Sequence, residues 1–322
     1  MPQISLGETQ FACPGDETLL DALLKANLRI PYSCRQGVCQ SCLMRCLNVA
    51  PPANSQTGLK DTLQRQNYFL ACRCYPEQDM TVALPDQQTF AVNAVVIKKQ
   101  LLAPDILRLV LQYETPLEFY AGQFINLRRG DGLTRSYSIA ISPQTGNLLE
   151  FHIRRLPQGQ FSNWAHDELA IGSPVTLSQA QGNCYYLPGN HGQPLLLIGT
   201  GSGLAPLYGI INDALNQGHN GVIHLFHGSR NADGLYLSDE LRKLEEKFAN
   251  FQYTACLSEK HSKPGFAQGR AHDLALADKD SLKGWRVYLC GHPEMVKHSQ
   301  KMAYLKGASL KDIYADAFIA GK

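Results

Sequence analysis

The spacing of apolar residues changes character twice along the chain. Up to residue 84 the runs are short and mixed. "QISLGETQFACP" predicts a hairpin of two short strands. "DETLLDALLKANL" puts Leu19, Leu20, Leu23 and Leu24 on one helical stripe. "LMRCLNV" and "MTVAL" return to strand-like runs, and the region should end near "PDQQ", residues 85–88. From Thr89 the runs "TFAVNAVVIKKQ", "ILRLVLQY", "QFINLRR", "RSYSIAI" and "LLEFHIRR" are separated by Gly, Pro and Asp turns rather than by helices, the pattern of an antiparallel barrel. "GQFSNWA" then predicts one short helix. After "YYLPGNHG" strands and helices alternate, as in a parallel sheet wrapped by helices: "PLLLIG", a helix with Leu207, Ile210, Ile211, Ala214 and Leu215 at helical spacing, "VIHLFHGSR", "SDELRKLEEKFA", "FQYTACLS", a helix near 270–279, "RVYLCG", "PEMVKHSQKMAYL" and a closing "IYADAF". Three domains are expected, at residues 1–88, 89–189 and 190–322.

Composition narrows the class. The 322 residues are 44% hydrophobic and 18% charged, enough to bury several cores. A net charge of +2 is too balanced for nucleic acid binding or a polybasic membrane surface. No charged stretch followed by an apolar one opens the chain, and no apolar run reaches membrane-spanning length. A cytoplasmic protein without membrane insertion is the expectation.

The cysteines change the picture. Seven of the ten lie before residue 75, which in a cytosolic setting points to metal or redox chemistry rather than to disulfides. "CRQGVCQSC" spaces Cys34, Cys39 and Cys42 as C-x4-C-x2-C, and "YFLACRCYP" adds Cys72 and Cys74. That is the spacing of a plant-type [2Fe–2S] centre, whose two irons need four thiolates. Zinc would ask for paired C-x2-C knuckles or histidines at ligand spacing, and this segment has neither.

This segment resembles the plant-type ferredoxin family. There the fourth ligand follows the third after 29 residues, in a "LAC" context that Cys72 meets and Cys74 does not. The resemblance implies a β-grasp fold and the ligand set Cys34, Cys39, Cys42 and Cys72. Gly37 suits a loop that curls close to sulfide and donates N–H groups. Gln40 departs from the family, which usually has glycine there. Cys13, Cys46 and Cys74 are expected to be small buried apolar residues.

"RSYS", Arg135, Ser136, Tyr137 and Ser138, matches the R-x-Y-[ST] motif of the ferredoxin–NADP reductase superfamily, which binds FAD on a Greek-key barrel. The chemistry suits it: an arginine fork can pair with a pyrophosphate, a tyrosine ring can pack on the isoalloxazine, and the Ser138 hydroxyl can reach flavin N5. "GQFS", Gly159, Gln160, Phe161 and Ser162, looks like the family's G-x-x-S at a helix N-terminus, a ready phosphate site. By the same resemblance the backbone of His152, Ile153 and Arg154 lies along the cofactor. The alternative for Arg154 and Arg155 is a pair of solvated edge charges.

The turn "GTGSGLAP", with Gly199, Thr200, Gly201, Gly203 and Pro206, lets backbone approach a pyrophosphate. It is not the dinucleotide fingerprint, because the place of the acidic residue about 20 positions on holds Ser229 and Arg230. It does look like the GTG-x-G-x-AP turn of the same superfamily. "CGHPEM" carries a further mark, Cys290, Gly291, Pro293 and Met295, and the resemblance implies that Cys290 lies beside the nicotinamide. Asp316 and Phe318 match in kind the acidic and aromatic residues that related reductases place near the flavin's reactive face; the bland alternative is a last strand with a buried Phe318.

In the order ferredoxin, FAD barrel, nucleotide domain, the chain is similar to the reductase components of bacterial oxygenases and to deoxysugar-forming reductases. That implies an NAD(P)H-dependent oxidoreductase with FAD and a [2Fe–2S] cluster, NADH preferred, passing single electrons to a protein acceptor that docks near residues 35–41, a terminal oxygenase above all. Arg230 would suit a 2′-phosphate, so NADPH stays open. A stand-alone flavin or ferric reductase and a non-catalytic redox sensor are the rivals. Seven basic and eight acidic residues in the first domain give no field of one sign to identify the partner.

Overall fold

A computed structural model of the chain describes residues 1–32, 34–37, 40–85, 90–260 and 264–318. It divides into two compact units, Met1–Gln88 and Thr89–Lys322.

The first unit is a five-stranded sheet with a helix laid against it. Strands β1 (Gln3–Leu6) and β2 (Thr9–Ala12) form the hairpin, followed by helix α1 (Leu19–Lys25), β3 (Leu43–Cys46), the short helix α2 (Asp61–Arg65), β4 (Tyr68–Leu70) and β5 (Met80–Ala83). The strand order is β2-β1-β5-β3-β4, with β1 and β5 parallel. Helix α1 starts where the Thr18 hydroxyl accepts the Asp21 amide and donates to the Asp21 carboxylate at 2.7 Å. Its stripe buries Leu19, Leu20 and Leu23 completely, and Leu24 sits at the margin of the core. Cys13, Cys46 and Cys74 are buried in that core beside Met44 and Phe69, as small apolar residues would be. Burial pushes the Cys74 thiol up to about 12 and Cys13 up to about 11, so both are inert.

The second unit begins with an antiparallel barrel of β6 (Phe90–Ala103), β7 (Ile106–Tyr113), β8 (Phe124–Arg128), β9 (Thr134–Ser138), β10 (Leu148–Arg154) and β11 (Pro174–Ser178), with helix α3 (Gln160–Asp167) between the last two strands. The order β10-β7-β6-β11-β8-β9 leaves β9 and β10 at the edges, and the bridge between Ile139 and Phe151 joins those edges. Closure removes the unpaired rows of N–H and C=O groups that open edges would expose.

The rest of the unit is a six-stranded, all-parallel sheet of β12 (Leu195–Thr200), β13 (Ile223–Ser229), β14 (Phe251–Leu257), β15 (Ala267–Gln268), β16 (Arg286–Gly291) and β17 (Ile313–Ala317), in the order β15-β14-β13-β12-β16-β17. Helices α4 (Leu204–Asn216), α5 (Ser238–Lys247), α6 (Ala271–Ala277) and α7 (Pro293–Leu305) cover it. Period-two alternation in the central strand explains both faces. Leu195 and Leu197 pack under α4 and α5, whereas Leu196 and Ile198 pack under α6 and α7. Such a sheet opens a crevice at the carboxyl ends of its strands, where β12, β13 and β16 deliver Thr200, Ser229 and Gly291. Among the described residues no helix is long and apolar enough to cross a membrane.

Candidate functional site

In the first unit three of the four expected cluster ligands converge. The Cys72 thiol is raised to about 11, first by burial and then by a hydrogen bond and charge interaction with Cys42; Cys34 adds to the rise, while the Gly37 amide opposes it by donating to the sulfur. The Gln36 amide donates to Cys34 Sγ at 3.4 Å. Gathering thiols while aiming backbone N–H groups at them is costly for neutral sulfur and favourable for thiolate on iron. The donor set therefore fits a binuclear cluster. Cys39 lies outside the described residues. Gln40 has φ +57°, the left-handed region that favours glycine, which gives a physical reason for the glycine usual at this place. Arg35 and Gly37 are also left-handed, so the loop is tightly curled.

In the second unit the sequence motifs from strands far apart meet around one open cavity of about 1730 Å³. The barrel contributes Arg135, Ser136, Tyr137 and Ser138 from β9 and His152 and Arg154 from β10. Helix α3 and its cap add Gly159, Gln160, Phe161 and Ser162. The sheet adds Thr200, Gly201, Ser229, Arg230, Gly291, Pro293 and Met295, and the chain end Asp316 and Phe318.

Two features mark the α3 end of the cavity. Gly159 caps the helix without a side-chain hydrogen bond, which leaves first-turn N–H groups for a ligand. Ser162 Oγ accepts the Leu156 amide at 3.1 Å and holds the approach loop; a Cβ on Gly159 would lie 2.3 Å from that oxygen. The Tyr137 ring tilts against Phe161 at 5.5 Å, and burial raises its phenol well above the ordinary range, so it stays neutral.

At the sheet end, Gly201 has φ +55°, and a Cβ there would meet Arg154 Nη1 at 3.2 Å. Arg154 is itself held by Asp105, Nε to Oδ2 at 2.8 Å, so the barrel guanidinium overhangs the glycine turn rather than standing as a free edge charge. This cradle, which a side chain would fill, fits a pyrophosphate.

The chain end closes a third side. Ser138 Oγ donates to Asp316 Oδ2 at 2.9 Å, tying the barrel motif to β17, and the Phe318 amide donates to the Gly291 carbonyl at 2.8 Å. Burial raises the Asp316 pKa above the ordinary carboxylate value, and the Ser138 hydrogen bond partly offsets this. His152 is fully buried, between Tyr236 Oη at 3.1 Å and Glu150 Oε1 at 2.9 Å. Burial lowers its pKa, so it is a neutral ring linking barrel and sheet.

Five expected site residues stand behind the cavity wall. Ile153 is in the barrel core. Gly199 and Gly203 are packing positions: a Cβ on Gly203 would lie 2.2 Å from the Cys290 carbonyl oxygen, and one on Gly199 would lie 2.8 Å from Leu207. Pro206 is buried in the first turn of α4. Cys290 is fully buried, its sulfur 3.8 Å from that of Cys184, and burial raises its thiol far above the ordinary value. Sequence reasoning missed Phe124, Asp105, Ser258, Arg270, His272 and His298, which also line the cavity. Ser258 was findable, since it directly follows β14 at the carboxyl edge. The others carry no spacing signal.

Comparisons with known proteins divide the chain in the same order. The 2Fe-2S iron-sulfur cluster binding domain matches residues 4–77, the oxidoreductase FAD-binding domain residues 93–186, and the oxidoreductase NAD-binding domain residues 197–301. The chain is 33% identical over 307 residues to the ferredoxin–NAD(P)(+) reductase component of the naphthalene 1,2-dioxygenase/salicylate 5-hydroxylase systems of Ralstonia sp, covering 94% of this chain and 93% of that one. It is 32% identical to the reductase subunit of an Amycolatopsis aromatic O-demethylase, covering 98% of each. Among solved structures, the Amycolatopsis cytochrome P450 reductase GcoB superposes with a TM-score of 0.69 at 31% identity, covering 99% of each chain.

Proposed function

The chain belongs to the family of oxygenase-system reductase components, a [2Fe–2S] ferredoxin fused to a ferredoxin–NADP reductase-like module that binds FAD and NAD(P), and from that premise we propose how its own residues carry electrons from NADH to an oxygenase component. When bound, FAD would take the hydride's electron pair and give it up singly, and the cluster would carry one electron at a time.

Arg135 and the free N-terminus of α3 hold the FAD pyrophosphate, and Tyr137 packs on the isoalloxazine, its neutral phenol adding no charge. Ser138 would stand within reach of flavin N5, its hydroxyl oriented by the bond to Asp316, where its Oγ lone pairs would accept from the N5–H of the reduced flavin. Gly201 and Thr200 bring backbone to the nucleotide pyrophosphate, and Arg154 adds positive charge over the turn. Ser229 and Arg230 meet the adenosine ribose. Cys290, from behind the wall, sets the position of Gly291 and of the nicotinamide pocket, with Pro293 and Met295 beside it. Phe318, anchored on Gly291, covers the reactive face and excludes water. Cys34, Cys39, Cys42 and Cys72 hold the cluster, and the acceptor docks at residues 35–41. The protein acts in the cytoplasm.

The observation that carries this reading is the Ser138–Asp316 hydrogen bond, which brings the barrel motif and the chain end, 178 residues apart, to one point of the cavity. The test is Cys72→Ser. Reduction of one-electron protein acceptors should be abolished while NADH–ferricyanide turnover persists; survival of both activities overturns the ligand set. Steady-state kinetics with both nucleotides should give the higher kcat/KM with NADH.

A further inference from the structure

His272 and Asp273 lie in the first turn of helix α6, and His298 stands exposed on α7 beside them, on a wall of the nucleotide cavity that the electron-transfer reading leaves unused. The two imidazole rings stand 5.4 Å apart at 70°. His272 Nε2 is 3.4 Å from Asp273 Oδ1. One ligand atom from each of the three side chains falls within 4.8 Å of the other two.

Two imidazoles and a carboxylate at one point are a ligand set with known preferences. Imidazole nitrogen suits zinc, copper and nickel, whereas magnesium and calcium prefer all-oxygen shells. Bond lengths near 2.0–2.1 Å in a tetrahedral site need ligand atoms about 3.4 Å apart, so the set must close by roughly 1.5 Å. The His272 side chain is only 12% exposed and fixes the site, whereas Asp273 is 60% exposed and can turn toward it. His298 is exposed as well.

Electrostatics cut both ways. The Asp273 carboxylate beside the two rings attracts a cation. Arg270 repels a cation, but it is exposed and its field is screened by salt.

We propose that His272, Asp273 and His298 form a binding site for a borderline divalent transition-metal ion, of which zinc is the probe, on the wall of the nucleotide cavity. It is separate from the iron–sulfur ligands and is not required for electron transfer. Three protein ligands leave the fourth position to water.

The test is equilibrium dialysis of the tag-free holoprotein against zinc, with metal analysis and absorbance spectra to confirm that flavin and cluster are retained. The intact chain should take up one zinc ion more than the His272→Ala/His298→Ala double variant. His298→Ala and Asp273→Asn, both at exposed positions, should each weaken that uptake at least tenfold. Magnesium should not compete, and affinity should fall as the pH is lowered from 7.5 to 6. Equal zinc uptake by wild type and the variants, or no uptake by wild type, overturns the proposal.

Discussion

At the scale of single residues, the tightest constraint in the reductase unit is Gly203. A Cβ there would meet three backbone atoms: the Cys290 carbonyl oxygen at 2.2 Å, its carbon at 2.6 Å and Gly291 Cα at 2.8 Å. Backbone cannot swing aside as a side chain can. Gly203→Ala should therefore destabilise the unit by about 1–3 kcal/mol and raise the KM for NADH, as read by thermal unfolding and steady-state kinetics. At Gly201 an added Cβ would meet only the Arg154 guanidinium, Nη1 at 3.2 Å, but the φ of +55° strains any L side chain, so Gly201→Ala should cost stability through the backbone rather than through contact. Ser138 is the second sensitive point. Its hydrogen bond is what lowers the Asp316 pKa against burial, so Ser138→Ala should move the Asp316 limb of the pH–rate profile to higher pH. It should also slow NADH-driven bleaching of the flavin by roughly 10²-fold, measured by stopped flow. Motif spacing names both residues in the sequence, Ser138 within R-x-Y-S and Gly203 within the glycine turn. The packing roles of Gly203 and Cys290 were not legible there, since the contact joins the turn after β12 to strand β16.

At the scale of elements, strand β13 carries two histidines into low-dielectric surroundings. His227 is fully buried, edge-on to Tyr236, and burial depresses its pKa from 6.5 to about 3; His224 is lowered to about 4, first by burial and then by Lys279. A histidine whose folded pKa lies below its unfolded value contributes full stability above 6.5 and loses it as the pH falls toward the folded value. For His227 the loss between pH 8 and pH 5 is about 2 kcal/mol, which His227→Leu should remove from the pH dependence. Urea unfolding followed by tryptophan fluorescence reads this directly, because both tryptophans, Trp164 and Trp285, lie in the second unit. The strands and helices with strong periodicity were visible in the sequence: α1 and β7 fall within their expected stretches, and β12 and α4 lie on theirs to within a few residues. The elements that were not are short or pinned by tertiary contacts. Helix α2 has five residues and β4 three; β11 opens on the proline of a Gly-Ser-Pro sequence, and β15 is a two-residue edge. Barrel closure through the Ile139–Phe151 bridge has no local signal either.

At the scale of the whole molecule, the order of domains is what the patterns of cysteines, barrel strands and glycine turn announced, and the three matching family domains fall along the chain in that order. What stayed hidden was the common cavity, because its walls come from both ends of the second unit: Phe124 and Asp105 from the barrel, and Arg270 and His298 from beside the sheet. Each of these is an ordinary surface residue until the fold brings it there. The central claim is that nucleotide, flavin and cluster act in series within this one polypeptide. Anaerobic titration of the holoprotein with NADH, followed by absorbance and by electron paramagnetic resonance, tests it most directly. The account predicts uptake of about three electrons per chain, two on the flavin and one on the cluster, with the reduced-cluster resonance appearing as NADH is added. Flavin bleaching with a cluster that stays oxidised to NADH yet is reduced by dithionite would contradict it.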